Sequence, residues 1–238
     1  MPGTGTIINV LAIIAGGFAG VRAGRLVSQK IRESLILCCG VCTLFIGISG
    51  ALEKMLTVTP EGLSAQGSMM MILTLCAGTL IGELLKLDER LEQFGEWLKL
   101  RTGNAKDPQF VGAFVTASLT VCIGAMAIVG SIRDAIELDP SILIAKAILD
   151  FIIVLIMSAS LGRGAAFSAI PVGILQGGVT VIARFLSPVM TEKALSNLSL
   201  TGSVIIFCVG LNLVFDRRIR VANMLPALIF AALWAAGL

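Results

Sequence analysis

The chain has 238 residues, of which 56% are hydrophobic and only 14% charged, with a net charge of +3 and a mean hydropathy of +0.96. Soluble domains carry about 45–50% apolar and about 25% charged residues, so this composition excludes an ordinary soluble enzyme, a disordered chain and a nucleic-acid binder with a basic face. There is no histidine, which removes histidine metal sites, Ser-His-Asp triads and histidine general bases.

A membrane-spanning helix needs about 20 mostly apolar residues. In chain order the apolar blocks are 4–21, 34–52, 68–85, 110–130, 142–161, 167–186, 199–215 and 221–238. Seven are clear. The eighth is short and has Pro226 early in it, so it spans, kinks or runs as a half-helix. No Lys or Arg precedes the first block, and no small-residue cleavage site follows it, which argues against a signal peptide. The expected fold is all-α: one polytopic transmembrane domain over 1–238, a bundle of about eight helices.

Alternate loops collect the basic residues. Loop 22–33 holds Arg22, Arg25, Lys30 and Arg32; loop 86–107 holds Lys86, Arg90, Lys99, Arg101 and Lys106. Arg163, then Arg217, Arg218 and Arg220, follow on the same side, making 13 of the 18 basic residues. The positive-inside rule puts that side in the cytoplasm and both termini outside. Between these spans, Leu84, Leu87, Leu91, Phe94 and Leu98 recur at helical spacing with Glu and Lys between them. This predicts an amphipathic helix over 83–101 on the cytoplasmic interface, anchored by Trp97; a shorter external counterpart is expected at 188–198.

Candidate chemistry is sparse. Asn9, Gln176 and Asn212 are amides inside spans; each can donate and accept, and so replace part of a solute's hydration shell, or simply hold helices together. Gly16, Gly20 and Gly24 repeat every four residues and read as a close-packing face, and Gly124 and Gly130 as a tight crossing, with the wall of a pathway as the alternative. The six cysteines all fall within spans; the Cys39-Gly-Val-Cys42 pattern sits in an apolar helix without a second thiol pair, and reads as small buried side chains. Lys146 and Asp150 are the sharpest feature. Four residues apart, they share one helix face, and Asp150 lies near mid-span. Ionisable groups at that depth are costly and by default mark a functional site; the competing reading is a self-neutralising pair that pins helix packing. Pro171, Gly173, Gly177 and Gly178 surround Gln176 and predict an interrupted sixth helix, as at the midplane sites of transporters. Glu83 and Arg184, near span ends, read as snorkelling side chains. No metal site and no cofactor is expected.

Two weaker patterns concern organisation. Cys122, Gly124, Pro140 and Ala145 match Cys208, Gly210, Pro226 and Ala231 at an offset of 86. Units 68–161 and 167–238, with 1–52 a partial further unit, would then be inverted three-helix repeats, because an odd span number reverses orientation. Chance similarity of glycine-rich helices is the alternative.

Several stretches carry a resemblance: Gly5-Thr-Ile-Ile-Asn9, Cys122-Ile-Gly-Ala-Met-Ala-Ile-Val-Gly-Ser131, Lys146 and Asp150, Ser168-Ala-Ile-Pro171-Val, Gln176-Gly177, Gly210-Leu-Asn212 and Val221-Ala-Asn223-Met-Leu-Pro226-Ala. Together they resemble the YqgA-like family of bacterial polytopic inner-membrane proteins, a domain of unknown function. The resemblance covers nearly the whole chain and implies an inner-membrane location and a polytopic fold. It implies no activity. The residues point to a small secondary transporter or permease for a small solute or ion, coupled to a proton or cation through the Lys146–Asp150 face. A non-transporting accessory protein is the alternative, and a membrane enzyme has least support. The expected partners are the lipid bilayer, the solute or ion and, since 238 residues is small for a carrier, further copies of the chain.

Overall fold

The computed structural model describes residues 1–24, 26, 28–60, 62–122, 125–186, 191–215 and 219–235. Arg25, Gly124, Arg217 and Arg218, the side chain of Arg184 and the 188–190 part of the expected external helix lie outside the described residues. In order, the chain forms α1 (Thr4–Gly24), α2 (Gln29–Met55), a hairpin of β1 (Leu56–Thr59) and β2 (Gly62–Ala65), α3 (Ser68–Leu85), α4 (Leu87–Arg101), α5 (Phe110–Cys122), α6 (Ala125–Ile136) and α7 (Ser141–Ser160). A 3-10 turn (Arg163–Ser168) leads into α8 (Ala169–Leu186), followed by α9 (Glu192–Phe215), a second 3-10 turn (Val221–Met224) and α10 (Pro226–Trp234).

Among the described residues six helices are long and apolar enough to cross a membrane, seven if α5 and α6, bent by 60°, are one span. Within the described residues the eighth apolar block is a helix of Val221–Trp234, the second 3-10 turn and α10 together, shorter than the about 20 residues of a full span. The hairpin pairs Leu56 with Ala65 and Thr59 with Gly62, and the residue spacing did not foretell it. The expected external helix near 192–198 is instead the first two turns of α9.

The break is not where the glycines suggested. The sixth apolar block is one helix from Ala169 to Leu186, through Pro171, Gly173, Gly177 and Gly178. Pro171 sits in the first turn, where its missing N–H has no intrahelical partner to lose. Gly177 and Gly178 face open space; each lowers helix propensity by about 1 kcal/mol, less than the several kcal/mol of an unsatisfied backbone group in hydrocarbon. The interrupted span is the fourth block, expected as continuous over 110–130, which divides into α5 and α6.

The chain forms two compact units. The first comprises Met1–Cys39, Glu89–Cys122 and Met126–Leu186. Here α1 and α7 run parallel, with Gly16 against Phe151, Gly20 against Leu155 and Gly24 against Ala159. A methyl group on Gly16 would lie 2.5 Å from the Phe151 carbonyl oxygen, so the four-residue glycine spacing is what admits this approach. In lipid such contact replaces the hydrophobic effect as the source of helix association. Ile13, Val121, Val154, Ala169 and Val172 form the core of this unit. α4 is the Leu87–Arg101 part of the expected amphipathic helix, residues 83–85 ending α3 before the left-handed Lys86, and its apolar face is largely covered: Leu98 is buried with Phe110 and Phe114, and Leu91 and Phe94 pack on them. Trp97 remains half exposed and stacks on Phe94 at 5.8 Å.

The second unit comprises Gly40–Asp88, Ile123–Ala125 and Ser187–Leu238. Within it α2 and α9 run antiparallel, Gly40 meeting Val214, Gly47 meeting Phe207 and Gly50 meeting Ser203. α3 and α10 are antiparallel too: Gly78 lies on Ala227, and Gly82 on Asn223 in the turn before α10. Met70, Leu200 and Ala231 form its core.

Candidate functional site: a buried Lys–Asp pair at an interrupted span

α7 opens after Pro140 and carries apolar residues on most of its surface. Its one charged face holds Lys146 and Asp150, both buried. The Lys146 Nζ donates to both carboxylate oxygens of Asp150 at 2.8 Å. It donates a third bond, also 2.8 Å, to the carbonyl oxygen of Val121. Val121 is the penultimate residue of α5, on the α5 side of the 60° bend to α6. Lys146 therefore does two jobs: it neutralises Asp150 and ties α7 to the α5 backbone. Asn9 on α1 completes the shell, donating from Nδ2 to Asp150 Oδ2 at 3.0 Å. An ammonium has three protons, and three acceptors stand within 2.8 Å, so no donor of Lys146 is left idle.

The sequence-selected residues divide as follows. Lys146, Asp150 and Asn9 meet in one network. Gln176 lies in the same unit on α8, fully buried, with neither amide atom hydrogen-bonded among the described residues. Asn212 belongs to the second unit, and its amide is spent on the chain itself: Nδ2 donates to the Ile219 carbonyl at 2.8 Å, and the Ile219 N–H donates to Oδ1 at 2.9 Å. It is a brace for the segment following α9. Pro171, Gly173, Gly177 and Gly178 form no hinge. Glu83 pairs with Arg220 at 2.9 Å in the second unit. All six cysteines are free thiols.

Two residues escaped the sequence reading. Asp134 on α6 is fully buried, and its Oδ2 accepts the Gly5 N–H at 2.9 Å, so a carboxylate sits at the N-terminus of α1 where the helix dipole favours it. The signal was present: Ala127, Ser131 and Asp134, at spacings of four and three, are all buried on one helical face. The polar neighbours Arg133, Glu137 and Asp139, which pair with one another on the surface, made the stretch read as loop. Asn223 is the second; its Oδ1 accepts the Asp88 N–H at 2.8 Å and so caps the start of α4.

The helices and the buried charges thus define a polytopic helical membrane protein. The chain belongs to the family described as "Protein of unknown function (DUF554)", which it matches over residues 4–236. It is 30% identical over 240 residues to "Uncharacterized protein YqgA" of Escherichia coli (strain K12), covering 98% of this chain and 97% of that protein. It is 23% identical over 225 residues to "Uncharacterized membrane protein YdfK" of Bacillus subtilis (strain 168), covering 94% and 92% of the two chains. No solved structure matches. Neither relative's name denotes an enzyme.

Proposed function

We propose that this protein is a small secondary transporter whose coupling element is the Lys146–Asp150 pair at the α5–α6 interruption. The observation that carries this reading is the bond from Lys146 to the Val121 carbonyl. Transporter sites are commonly built where a discontinuous helix exposes backbone carbonyls to ionisable side chains near the bilayer midplane, and Asp150 is the tenth residue of the 20 in α7. A proton or cation arriving at Asp150 competes with Lys146 for the carboxylate. Lys146 then shifts toward the Val121 carbonyl or away from both, and the angle between α5 and α6 becomes the quantity coupled to occupancy. Inverted duplication of 68–161 and 167–238 belongs to the same proposal. Its support is that both closing helices begin at the matched prolines, α7 directly after Pro140 and α10 at Pro226. We place the protein in the bacterial inner membrane with the N-terminus outside. The parallel sense of α1 and α7 is the one that first and fifth spans require.

One observation favours the accessory reading instead: every bond of the pair is satisfied inside one unit, as expected of a pin that only fixes packing. The test is the double variant Lys146→Met with Asp150→Leu in proteoliposomes. Ion fluxes driven by imposed proton, sodium and potassium gradients are followed beside thermal stability across the same ions and pH values. A coupling pair predicts that the double variant inserts and folds but loses the wild-type flux and ion response. A double variant equal to wild type in stability and every response rejects the site.

A further inference from the structure

The first unit contains a second buried carboxylate with different surroundings. Asp134 is fully buried and has no cationic partner among the described residues. Lys146 is spent on Asp150, and Arg133 on Glu137 and Asp139. The Asp134 Oδ2 holds the Gly5 N–H, but Oδ1 has no hydrogen-bond partner. Half a unit of positive charge at the N-terminus of α1 is the compensation seen among the described residues.

Three further orphaned oxygens belong to the same end of the unit. Thr6 Oγ1 and Asn9 Oδ1 lie in the first two turns of α1, within one and four residues of Gly5, and both are buried without partners. Gln176 Oε1 is the third. Its level on α8 is set by two contacts of the antiparallel α1–α8 pair: a methyl on Gly3 would meet Thr180 at 3.9 Å, and one on Gly173 would meet Val10 at 3.3 Å. Residue 176 therefore lies opposite the turn containing Thr6. Buried polar atoms are nearly always partnered; the other orphaned side-chain oxygens among the described residues are the hydroxyls of Ser118, Ser158, Ser160 and Ser168. Here a hydroxyl and an amide oxygen in the first two turns of α1, a carboxylate bonded to the first of those turns and an amide oxygen at the same level on α8 are all at least nine-tenths buried.

We infer that Thr6, Asn9, Asp134 and Gln176 form a binding site for a monovalent hard cation of sodium size. The donor set is all oxygen, which suits hard cations over transition metals. The charge count selects the valence. With Lys146 and Asp150 cancelling, one negative charge remains, and one monovalent ion neutralises it, whereas a divalent ion would leave a net positive charge buried in the membrane. Asn9 joins the site to the pair: its Nδ2 binds Asp150 while its Oδ1 faces the ion. Filling the site therefore fixes the amide that holds the Asp150 carboxylate. As the coupling ion, this cation rests on the transporter reading; its binding does not, and is tested alone.

The measurement is 22Na+ binding to purified full-length protein in detergent, with thermal unfolding in sodium, potassium or choline chloride at equal ionic strength and pH. The expected result is saturable binding of one sodium ion per chain, with a rise in unfolding temperature in sodium over choline. Asp134→Asn should abolish both. Gln176→Leu and Thr6→Val keep the charge and should weaken sodium binding about tenfold each, one lost ligand being worth about 1.4 kcal/mol in that ratio, which keeps the assignment testable if Asp134→Asn does not fold. Equal behaviour in sodium and choline means that water or a proton satisfies these atoms, and overturns the site. Undiminished sodium binding in all three variants overturns it as well. Sodium binding without sodium-driven flux in proteoliposomes would reject the transporter reading and leave the site standing.

Discussion

Both units bring a glycine-bearing helix against the helix that follows a matched proline, yet they finish the contact differently. In the first, α1 lies on α7 through Gly16, Gly20 and Gly24, and the same two helices hold Asn9, Lys146 and Asp150. In the second, α3 lies on α10 through Gly78 and on the preceding turn through Gly82. The polar groups there make other contacts: Thr74 bonds the Met71 carbonyl within α3, Asn197 donates to the Ala231 carbonyl, Asn223 caps α4 and Arg220 pairs with Glu83. At the offset of 86, Lys146 corresponds to Ala232, which is buried and apolar. A glycine ridge in lipid therefore closes without a buried ion pair. The charges of the first unit add nothing that such packing requires, and their desolvation makes them expensive to keep.

The largest effect should come from breaking that asymmetry halfway. Lys146→Met leaves Asp150 with Asn9 as its one hydrogen-bond donor among the described residues, and removal of one partner of a buried pair costs about 3–5 kcal/mol. Asp150→Leu should cost nearly as much, since it strands Lys146. The double variant, which makes the first unit resemble the second, should recover most of the loss. Denaturant unfolding of the three variants in detergent measures this. Additive losses in the double variant would mean that the two side chains are not coupled.

Next in size is the ridge itself. Gly20→Val drives side-chain atoms into the Leu155 carbonyl and within 2.8 Å of Ser158 Cβ, and overpacking of this kind costs about 1–3 kcal/mol. Gly78→Val meets Ala227 in the same way, but α10 has only nine residues and can be displaced as a piece, so a smaller loss is expected. Gly177→Ala meets nothing within 4 Å and should be neutral or raise stability by up to about 1 kcal/mol through helix propensity. Equal losses at positions 20, 78 and 177 would show that glycine is wanted there for flexibility and not for approach.

These contrasts also mark what the sequence could disclose. The apolar blocks, the shared face of Lys146 and Asp150, and the glycine spacing on α1 follow from period and depth alone, and were legible. The site of the interruption was not. Proline and glycine near Gln176 were the visible helix breakers, but a proline in the first turn removes no bond. The actual bend lies between α5 and α6, in a run whose hydropathy is continuous, and the side chain bonded to the α5 backbone there is Lys146, 25 residues away from Val121 in sequence. Asp134 was hidden for the converse reason. Its charged neighbours belong to the surface, and only the three-dimensional placement of Gly5 gives it a partner. Asn9 and Asn212, alike as buried amides in sequence, separate into a carboxylate ligand and a backbone brace.

A smaller effect is expected at Asn223. Asn223→Ala removes the acceptor for the Asp88 N–H, and loss of a helix cap costs about 1 kcal/mol. Backbone hydrogen exchange at the start of α4 should rise while that of α7 stays unchanged. Faster exchange throughout α3 and α10 would mean that Asn223 holds the second unit together and is more than a cap.

The smallest effect concerns how the two matched helices start. α10 begins behind a 3-10 turn with no acid in its first turn. α7 begins behind Asp139, whose Oδ1 accepts the Ser141 N–H at 3.0 Å. The Ser141 hydroxyl and amide hold the Asp139 carboxyl below the usual carboxylate range, with Arg133 adding to the same effect. Because the folded value lies below the unfolded one, the carboxylate stabilises α7 at pH values above about 4. That contribution is lost as pH falls through the lowered folded value. Asp139 is well exposed, so water and salt screen the interaction. Asp139→Asn keeps the cap geometry and removes the charge. It should therefore leave neutral-pH stability almost unchanged and flatten the stability profile slightly on the acid side, read as the difference in unfolding temperature between variant and wild type from pH 7 down to pH 3. A variant whose acid profile is steeper than that of wild type would reverse the sign and show that the Asp139 charge opposes the start of α7.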